Sequence, residues 1–550
     1  MYNIYMISSY LILLIFLSLV FNAVARRLKF PPELFLVVVS GAISFIPFVP
    51  RFTIDGYSLL EIILPPLLFS AARNLSAYKF RKMRWPIIYL GFFMTFITAL
   101  IVAVTISALV GFMTFTSGLI LGAVIAPPDA VSAVSIGKKL GLPERVMVIL
   151  TGESLINDAA ALTIFSFAVA ESYGNESFIQ SPALLFLWTC LVGAFIGIFA
   201  GVLAIAVRRI LKEPNIIAIF TAIVPFAVYV SCEHVHASGV LGVVTAGFVI
   251  EKTTFRSTYS TRLQEKTLWR SIEMLFDSFV FAYIGLQFRF IITDLIDSGL
   301  DEIKITVYGF LVLLIAILIR PIGLLGYAAT KNIWYRLHLK RLRHFVSLSK
   351  NRTTISEFGD TPVTWREYII LSWTGMRGVV TLATASAVPT IAEISHESAE
   401  FKTRVFIQVI SLIVAVGTLL LQGLTLPFLT KKILNTEKMV TPEQDPLNGE
   451  WAKARKLMEA AALRVIDAEY EANPNTFDKE RVEMVWRNLD VVTTLKNRKD
   501  ISFMSKLLLE IVEAQREDIQ SAARNREIHP DVAREYLDSI DYKLIGYRMS

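Results

Sequence analysis

About 13 apolar stretches, most of them long enough to cross a lipid bilayer as a helix, constrain the fold of this chain more than any other feature. They predict an all-α polytopic membrane protein with about 13 transmembrane helices. Several stretches are short or contain Gly and Pro, so about 12 or 14 spans are alternatives. Their approximate bounds are residues 4–25, 32–49, 57–72, 86–111, 116–137, 148–171, 182–207, 215–232, 236–251, 271–289, 305–329, 367–389 and 404–429.

Charge decides the orientation and excludes one class of partner. Only 18% of the 550 residues are charged, against about 25% in soluble domains. The net charge is +7, but Lys and Arg concentrate in short loops between the apolar stretches, which is a topology signal rather than a nucleic-acid surface. We predict a cell (inner) membrane protein that is embedded in lipid. Because the loops after odd-numbered stretches are the basic ones, we predict that its N-terminus lies outside and its C-terminus in the cytoplasm.

The composition changes after residue 430. Beyond that point the chain is rich in charge and shows helical periodicity, with breaks at Asn473-Pro474 and His529-Pro530. We therefore predict two domains: a transmembrane domain over residues 1–430 and a cytoplasmic helical domain over residues 431–550.

The sixth apolar stretch carries Gly-Glu-Ser-Leu-Ile-Asn-Asp at residues 152–158. In a helix Ser154 and Asp158 share one face, while Glu153 and Asn157 share the adjoining face. An ionisable group inside a bilayer costs about 2.5–3.5 kcal/mol or more, and it persists only with a partner or a function. Two carboxylates in this setting predict a cation site.

The fifth stretch contains Pro127, Pro128 and Asp129. Two consecutive prolines cannot continue a helix, because each lacks an N–H and its ring clashes with the preceding turn. Irregular backbone at membrane depth is tolerated only where protein buries it or a wet cavity receives it. Free carbonyl oxygens beside a carboxylate would suit a hard monovalent cation, so we predict that Asp129 and Asp158 are the ion-exchanging acids.

The twelfth stretch holds a second predicted break, where Gly375 and Gly378 flank Arg377. Interrupted helices at corresponding positions of two halves mark the binding site of inverted-repeat transporters. A buried arginine requires a counter-charge. We favour Glu153 as its partner, and pairing with Asp158, which would make Glu153 the ligand, is the alternative.

Two further charged residues lie inside apolar stretches. Asp277 and Arg320 fall at similar predicted depths, so a structural ion pair between them is expected. Cys190 and Cys232 lie in or beside apolar segments and are interpreted as packing residues rather than a disulfide or metal pair.

These motifs resemble the cation:proton antiporter-1 family, which includes bacterial NhaP-type and animal NHE-type sodium/proton exchangers. The resemblance rests on Pro-Pro-Asp-Ala-Val at 127–131, Gly-Glu-Ser-Leu-Ile-Asn-Asp at 152–158 and Gly-Met-Arg-Gly-Val-Val at 375–380. Pro-Pro-Leu-Leu-Phe at 65–69 and Ser-Gly-Val-Leu at 238–241 also fit. The resemblance covers most of residues 1–430.

The resemblance implies an inverted-repeat antiporter fold with two interrupted helices, a homodimer, and a core that moves against a dimerisation domain. It also implies a buried Glu153–Arg377 ion bridge, a supporting role for Asn157, and electroneutral exchange because Asn precedes the final Asp. No cofactor is implied beyond the transported sodium ion and proton. The implied cation ligands are Asp158, Asp129, Ser154 and the carbonyl of Pro128.

The chain departs from many relatives at two positions, with Pro128 in place of Thr and Ser70 in place of an acid. Two other functions use the same oxygens: a potassium/proton exchanger and a cation channel. An intramembrane protease with two aspartates is disfavoured, because the Gly-x-Gly-Asp context is missing around Asp129 and Asp158. We therefore expect a transporter and not an enzyme.

Overall fold

All regular secondary structure in the described part of the chain is helical. The structure, a computed structural model, describes residues 2–28, 30–47, 49, 56–75, 77–129, 134, 137, 141–172, 182–254, 257–346, 364–388, 399–434, 448–472, 498–525, 527–529, 532–537 and 539–540.

Two of the long helices contain a π-helical turn. One is Tyr89–Phe93, between Ile88 and Met94, and the other is Leu419–Gly423, between Thr418 and Leu424. In chain order the helices are α1 (Tyr2–Arg27), α2 (Pro32–Ser44), α3 (Gly56–Asn74), α4 (Ala77–Lys82), α5 (Arg84–Ile88), α6 (Met94–Leu109), α7 (Phe115–Ile125), α8 (Glu144–Ser172), α9 (Pro182–Ile210), α10 (Pro214–Glu233), α11 (Gly239–Glu251), α12 (Tyr259–Asp297), α13 (Glu302–Val346), α14 (Trp365–Trp373), α15 (Val379–Ser386), α16 (Ala399–Thr418), α17 (Leu424–Leu434), α18 (Asn448–Ala472) and α19 (Arg498–Arg524).

The apolar helices confirm an all-α membrane protein. Among the described residues, 7 helices are long and apolar enough to cross a membrane, and the shorter α2, α7 and α11 are also apolar. The count of about 13 spans and the orientation of the two termini stay predictions.

The two predicted helix breaks are present and lie side by side. α7 ends at Ile125 and is followed by non-helical backbone as far as Asp129, while α14 ends at Trp373 and α15 begins only at Val379. The backbone N–H of Asp129 donates to the carbonyl of Met376 at 2.6 Å, which joins one break to the other. Residues 130 and 131 of the predicted motif lie outside the described residues.

Local sequence explains where the interrupted helices begin. Thr114 caps α7, because its side chain accepts a hydrogen bond from the N–H of Ser117 at 3.1 Å. Thr364 and Glu367 form a capping box at the start of α14, in which each side chain bonds the other residue's backbone. These caps fix the N-terminal ends of the two helices. Their C-terminal ends, at Ile125 and Trp373, lie at the breaks.

Small residues bring α8 close to its neighbours. A Cβ at Gly91, in the first π-helical turn, would lie 2.9 Å from the carbonyl of Glu153 and 2.8 Å from the Cβ of Ile156. Real Cβ atoms do not approach so closely, so glycine is required at this crossing. The helix that carries the predicted acids is thereby packed tightly against the π-helical turn.

The chain folds into two compact units. The first comprises Met1–Lys212, Ile216–Ile250 and Thr267–Met439, and contains both breaks. The second comprises Glu213–Asn215, Glu251–Lys266 and Val440–Ser550. Within the second unit, α18 and α19 pack together. The predicted division at residue 430 and the cytoplasmic position of the C-terminal region stay predictions.

Candidate cation site

The first break exposes backbone oxygen at the end of α7. Pro127 and Pro128 are buried, and neither can donate the N–H that would continue the helix. The Pro128 carbonyl accepts a hydrogen bond from Nδ2 of Asn157 at 2.9 Å. Because a carbonyl oxygen carries two lone pairs, this bond leaves Pro128 able to bind a cation as well.

The second break allows a carboxylate to approach its backbone. A Cβ at Gly378 would overlap Oδ2 of Asp129, so only glycine accommodates the Asp129 side chain here. Gly378 is also the residue before the first turn of α15. The half-buried Asp129 carboxylate therefore lies at the N-terminal end of α15, where the helix dipole favours negative charge.

α8 brings the second acid to the same place. Asp158 is 5% exposed and lies within electrostatic reach of Asp129. Asn157 is fully buried, and its Oδ1 atom has no hydrogen-bond partner among the described residues. Ser154 lies one helical turn before Asp158 and is half-buried. Two carboxylates, a proline carbonyl and an amide oxygen are thus gathered where the breaks meet.

The predicted ion pair between Glu153 and Arg377 is wrong, because Glu153 pairs with Arg320. Nη2 of Arg320 donates to Oε2 of Glu153 at 2.8 Å, and Nη1 donates to Oε1. Glu153 and Asp158 are five residues apart, so their side chains project about 140° apart around the helix. Glu153 consequently faces α13 while Asp158 faces the breaks.

The predicted pair between Asp277 and Arg320 is also wrong. Nε of Arg320 donates to the Leu371 carbonyl at 2.6 Å, and its remaining donors serve Glu153. Asp277 instead lies within electrostatic reach of Asp129, and its Oδ1 atom has no partner among the described residues. The sequence identifies Asp277 and Arg320 as charges inside the membrane, but it does not give the distance between residues on different helices.

Arg377 binds backbone carbonyls instead of a carboxylate. Its Nε donates to the Ile125 carbonyl at 3.1 Å, and Nη1 donates to the Gly375 carbonyl. The alternative partner, Asp158, receives no hydrogen bond from it. Arg377 is only 3% exposed. The Ile125 carbonyl belongs to the last turn of α7, so the arginine caps the negative end of that helix.

An acid from α12 lies beside Ser70, on the third helix. The hydroxyl of Ser70 donates to Oε1 of Glu273, and Nδ2 of Asn74 donates to the same oxygen at 3.3 Å. Glu273 therefore supplies a carboxylate beside Ser70. Residue 70 alone gives no indication of it, because the contact spans 203 positions of sequence.

Comparison with known proteins agrees with this architecture. The family model described as "Sodium/hydrogen exchanger, transmembrane" matches residues 12–432. The Na(+)/H(+) antiporter ApNhaP of Aphanothece halophytica is 29% identical over 410 residues, covering 74% of this chain and 70% of that protein. The low-affinity Na(+)/H(+) antiporter NhaS1 of Synechocystis is 27% identical over 407 residues, covering 73% and 69%.

A third relative is named for several cations. The sodium, potassium, lithium and rubidium/H(+) antiporter of Bacillus subtilis is 24% identical over 435 residues, covering 77% of this chain and 61% of that protein. Among solved structures, the sodium proton antiporter MjNhaP1 of Methanocaldococcus jannaschii matches with a TM-score of 0.57 at 17% identity. That match covers 78% of this chain and 99% of MjNhaP1, and shows a shared fold.

Proposed function

Because this chain belongs to the sodium/hydrogen exchanger family, we propose that it is a secondary active antiporter that exchanges sodium for protons across a membrane. One observation carries the proposal. Asp158 and Asp129 come within electrostatic reach of each other where two interrupted helices meet. The first interruption supplies oxygen atoms for a dehydrated cation, and the second supplies a helix N-terminus that receives the Asp129 carboxylate.

The cation ligands that we propose are the carboxylates of Asp158 and Asp129, the hydroxyl of Ser154 and the carbonyl of Pro128. Hard cations prefer oxygen ligands. Asn157 holds the Pro128 carbonyl in place through its 2.9 Å hydrogen bond. Glu153 is not among the proposed ligands, because Arg320 already compensates its charge and bonds both of its oxygens.

Competition for one set of oxygens couples the two fluxes. Two neighbouring carboxylates repel each other when both are ionised, and either a proton or a metal cation relieves that repulsion. Sodium therefore binds where protons are scarce and leaves where they are abundant. A site that moves across the membrane only when its charge is compensated cannot return empty, so uncoupled leak is prevented.

Several finer features belong to the same proposal. We propose electroneutral exchange by alternating access in a homodimer of the cell (inner) membrane, with the N-terminus outside and the C-terminus in the cytoplasm. The distribution of Lys and Arg among the loops supports this orientation. Asn157 before Asp158 supports electroneutrality through the family resemblance, and a voltage step imposed on proteoliposomes would test it: the exchange rate should not change.

Reconstitution of the full chain tests the exchange. Proteoliposomes loaded with a pH-sensitive dye should show sodium-driven proton movement, and Asp158→Asn should reduce its rate at least about 100-fold, because a neutral amide cannot alternate between cation and proton. Asp297→Asn, which changes an exposed aspartate at the end of α12, is the control and should stay within about twofold. Normal exchange by Asp158→Asn would defeat the assignment.

Two alternative functions have distinct signatures in this assay. A cation channel would give sodium flux that ignores the opposing proton gradient. A potassium/proton exchanger is suggested by the name of the Bacillus subtilis relative. It would give proton movement driven more strongly by potassium than by sodium in a competition series with lithium, sodium and potassium.

A further inference from the structure

Gln422 is a buried amide that the proposed site does not use. It lies in the π-helical turn Leu419–Gly423 and is 0% exposed. Neither its Nε2 nor its Oε1 atom has a hydrogen-bond partner among the described residues. A buried polar group left without a partner costs about 1–3 kcal/mol, and most such groups in proteins are bonded to protein or ordered water. This amide therefore indicates a bound molecule.

Its neighbours show where the amide lies. Thr418, four residues earlier, accepts a hydrogen bond from the backbone N–H of Arg377 at 3.0 Å. Thr425, three residues later, accepts one from Nε1 of Trp373 at 2.7 Å. Residues three and four apart share one face of a helix. Gln422 thus lies between two contacts that bracket the non-helical backbone of the second break.

The π-helical turn itself packs against the side chain of Met376, a residue of that break. A Cβ at Gly423 would lie 3.4 Å from Sδ of Met376. Single π-helical turns within longer helices are rare and concentrate at functional sites. Backbone outside a helix has N–H and C=O groups that need partners other than the helical ones. The N–H of Thr374 and the carbonyls of Gly375 and Met376 already have partners. The amide of Gln422 is chemically complementary to the groups that remain, the carbonyl of Thr374 and the N–H groups of Gly375 and Met376.

We propose that Gln422 binds one or two buried water molecules that bridge its amide to the open backbone of the second break. Water fits this place because it can both accept from the amide N–H groups and donate to the amide oxygen. An ion would satisfy only one end of the amide.

Through that water, Gln422 is a positioning residue for the cation site. The Met376 carbonyl accepts the N–H of Asp129 at 2.6 Å, so a shift of the second break moves the backbone that carries Asp129. The water holds that backbone still while the cation binds. This kinetic role rests on the proposed exchange function, whereas the water itself does not.

A substitution of equal length tests the positioning role. Gln422→Met keeps the volume and removes the hydrogen bonds. In proteoliposomes of the full chain it should raise the half-saturating sodium concentration about fivefold and leave the maximal rate within about twofold, because one hydrogen bond contributes about 1 kcal/mol. A residue that only packs would leave both values unchanged, and that result would overturn the proposal.

Ser411→Ala is the matched control. Ser411 is also 0% exposed, its hydroxyl also has no partner among the described residues, and it lies on α16 three turns before Gln422. It should leave the half-saturating concentration within about twofold. An equal rise in both variants would show a general effect of removing polar groups from this helix, and would overturn the specific role of Gln422.

Direct observation keeps the proposal testable if Gln422→Met does not fold. A cryo-EM map of the wild-type chain in lipid nanodiscs should show density within hydrogen-bond distance of both amide atoms. Absence of that density, in a map that resolves other buried waters, would rule the water out. If the wild type shows no sodium-driven proton movement, the proposed function fails while the density still decides the water site.

Discussion

The two helix breaks have different chemistry, although they lie side by side. The first, Ala126–Asp129, is made by two prolines and ends in a carboxylate. The second, Thr374–Gly378, contains two glycines and an arginine. Prolines remove hydrogen-bond donors, whereas Gly378 admits the Asp129 side chain because it has no Cβ. The first break therefore provides oxygen ligands, and the second provides the space and the positive helix end that receive them.

The arginines at the two breaks differ in the same way. Arg377 caps the C-terminal end of α7, and Arg320 caps that of α14 through the Leu371 carbonyl. Arg320 is neutralised by both oxygens of Glu153, but the guanidinium of Arg377 donates to neutral carbonyls. The pairing with Glu153 therefore compensates the charge of Arg320, whereas the guanidinium of Arg377 has only carbonyl oxygens as its hydrogen-bond partners among the described residues.

The largest expected effect is the loss of the neutralised arginine. Arg320→Met leaves Glu153 ionised and unpaired at 2% exposure, and breaking a buried ion pair in this way costs about 3–5 kcal/mol. We expect a marked fall in the thermal unfolding midpoint of the purified protein. The double variant Glu153→Gln/Arg320→Met should recover much of the loss, because no buried charge remains.

The double variant decides what the pair does. Recovery of stability together with sodium-driven proton exchange would identify the pair as structural. Stability without exchange would instead assign Glu153 or Arg320 to transport. Arg320 would then not be the purely structural arginine of the two.

The next effect concerns the space provided by the second break. Gly378→Ala places a methyl group where Oδ2 of Asp129 now lies, so the carboxylate must move. A displacement of about 1 Å at a reacting group can cost about 100-fold in rate. We expect exchange to fall by about that factor while the protein still folds. Gly326→Ala is the control, since its Cβ would meet only the Tyr89 hydroxyl at 3.7 Å. Equal activity of the two variants would show that the close approach is unimportant.

The sequence predicts the breaks better than the partners. Consecutive prolines and paired glycines act locally, so the positions of both interruptions followed from a few adjacent residues. The Glu153–Arg320 pair spans 167 positions and depends on how α8 is rotated against α13. Arg320 and Arg377 both had the chemistry to pair with Glu153. The choice required tertiary structure, and so did the contact between Ser70 and Glu273.

A smaller effect is expected at the arginine that binds carbonyls. Arg377→Met leaves the Ile125 and Gly375 carbonyls without their donor but creates no unpaired carboxylate. The expected loss of stability is about 1–2 kcal/mol, less than for Arg320→Met, with exchange slowed about tenfold. Arg377→Lys, which keeps the charge, should restore part of the rate. A stability loss equal to that of Arg320→Met, measured under the same conditions, would show that the two arginines are equivalent.

The smallest effect is expected at Asp301, a carboxylate at an exposed helix end, which serves as a comparison for Asp129 at the start of α15. Asp301 precedes α13, and its Oδ1 accepts the N–H groups of Ile303 at 3.1 Å and Lys304 at 3.2 Å. The hydrogen bond from the Lys304 backbone holds the pKa of Asp301 below its usual range. A depressed pKa stabilises the fold above the usual value of about 4, and the stabilisation is lost as the pH falls through the folded-state value.

Thermal unfolding of Asp301→Ala against wild type should therefore differ slightly at pH 6, and the difference should shrink between about pH 5 and pH 3. Solvent screens this exposed carboxylate, so the effect should be the least of the four. The half-buried Asp129 at the start of α15 has the same relation to a helix end but lies among protein groups. If Asp301→Ala lowered the thermal unfolding midpoint as much as Gly378→Ala does, then burial would not explain the difference between Asp129 at the breaks and Asp301 at the surface.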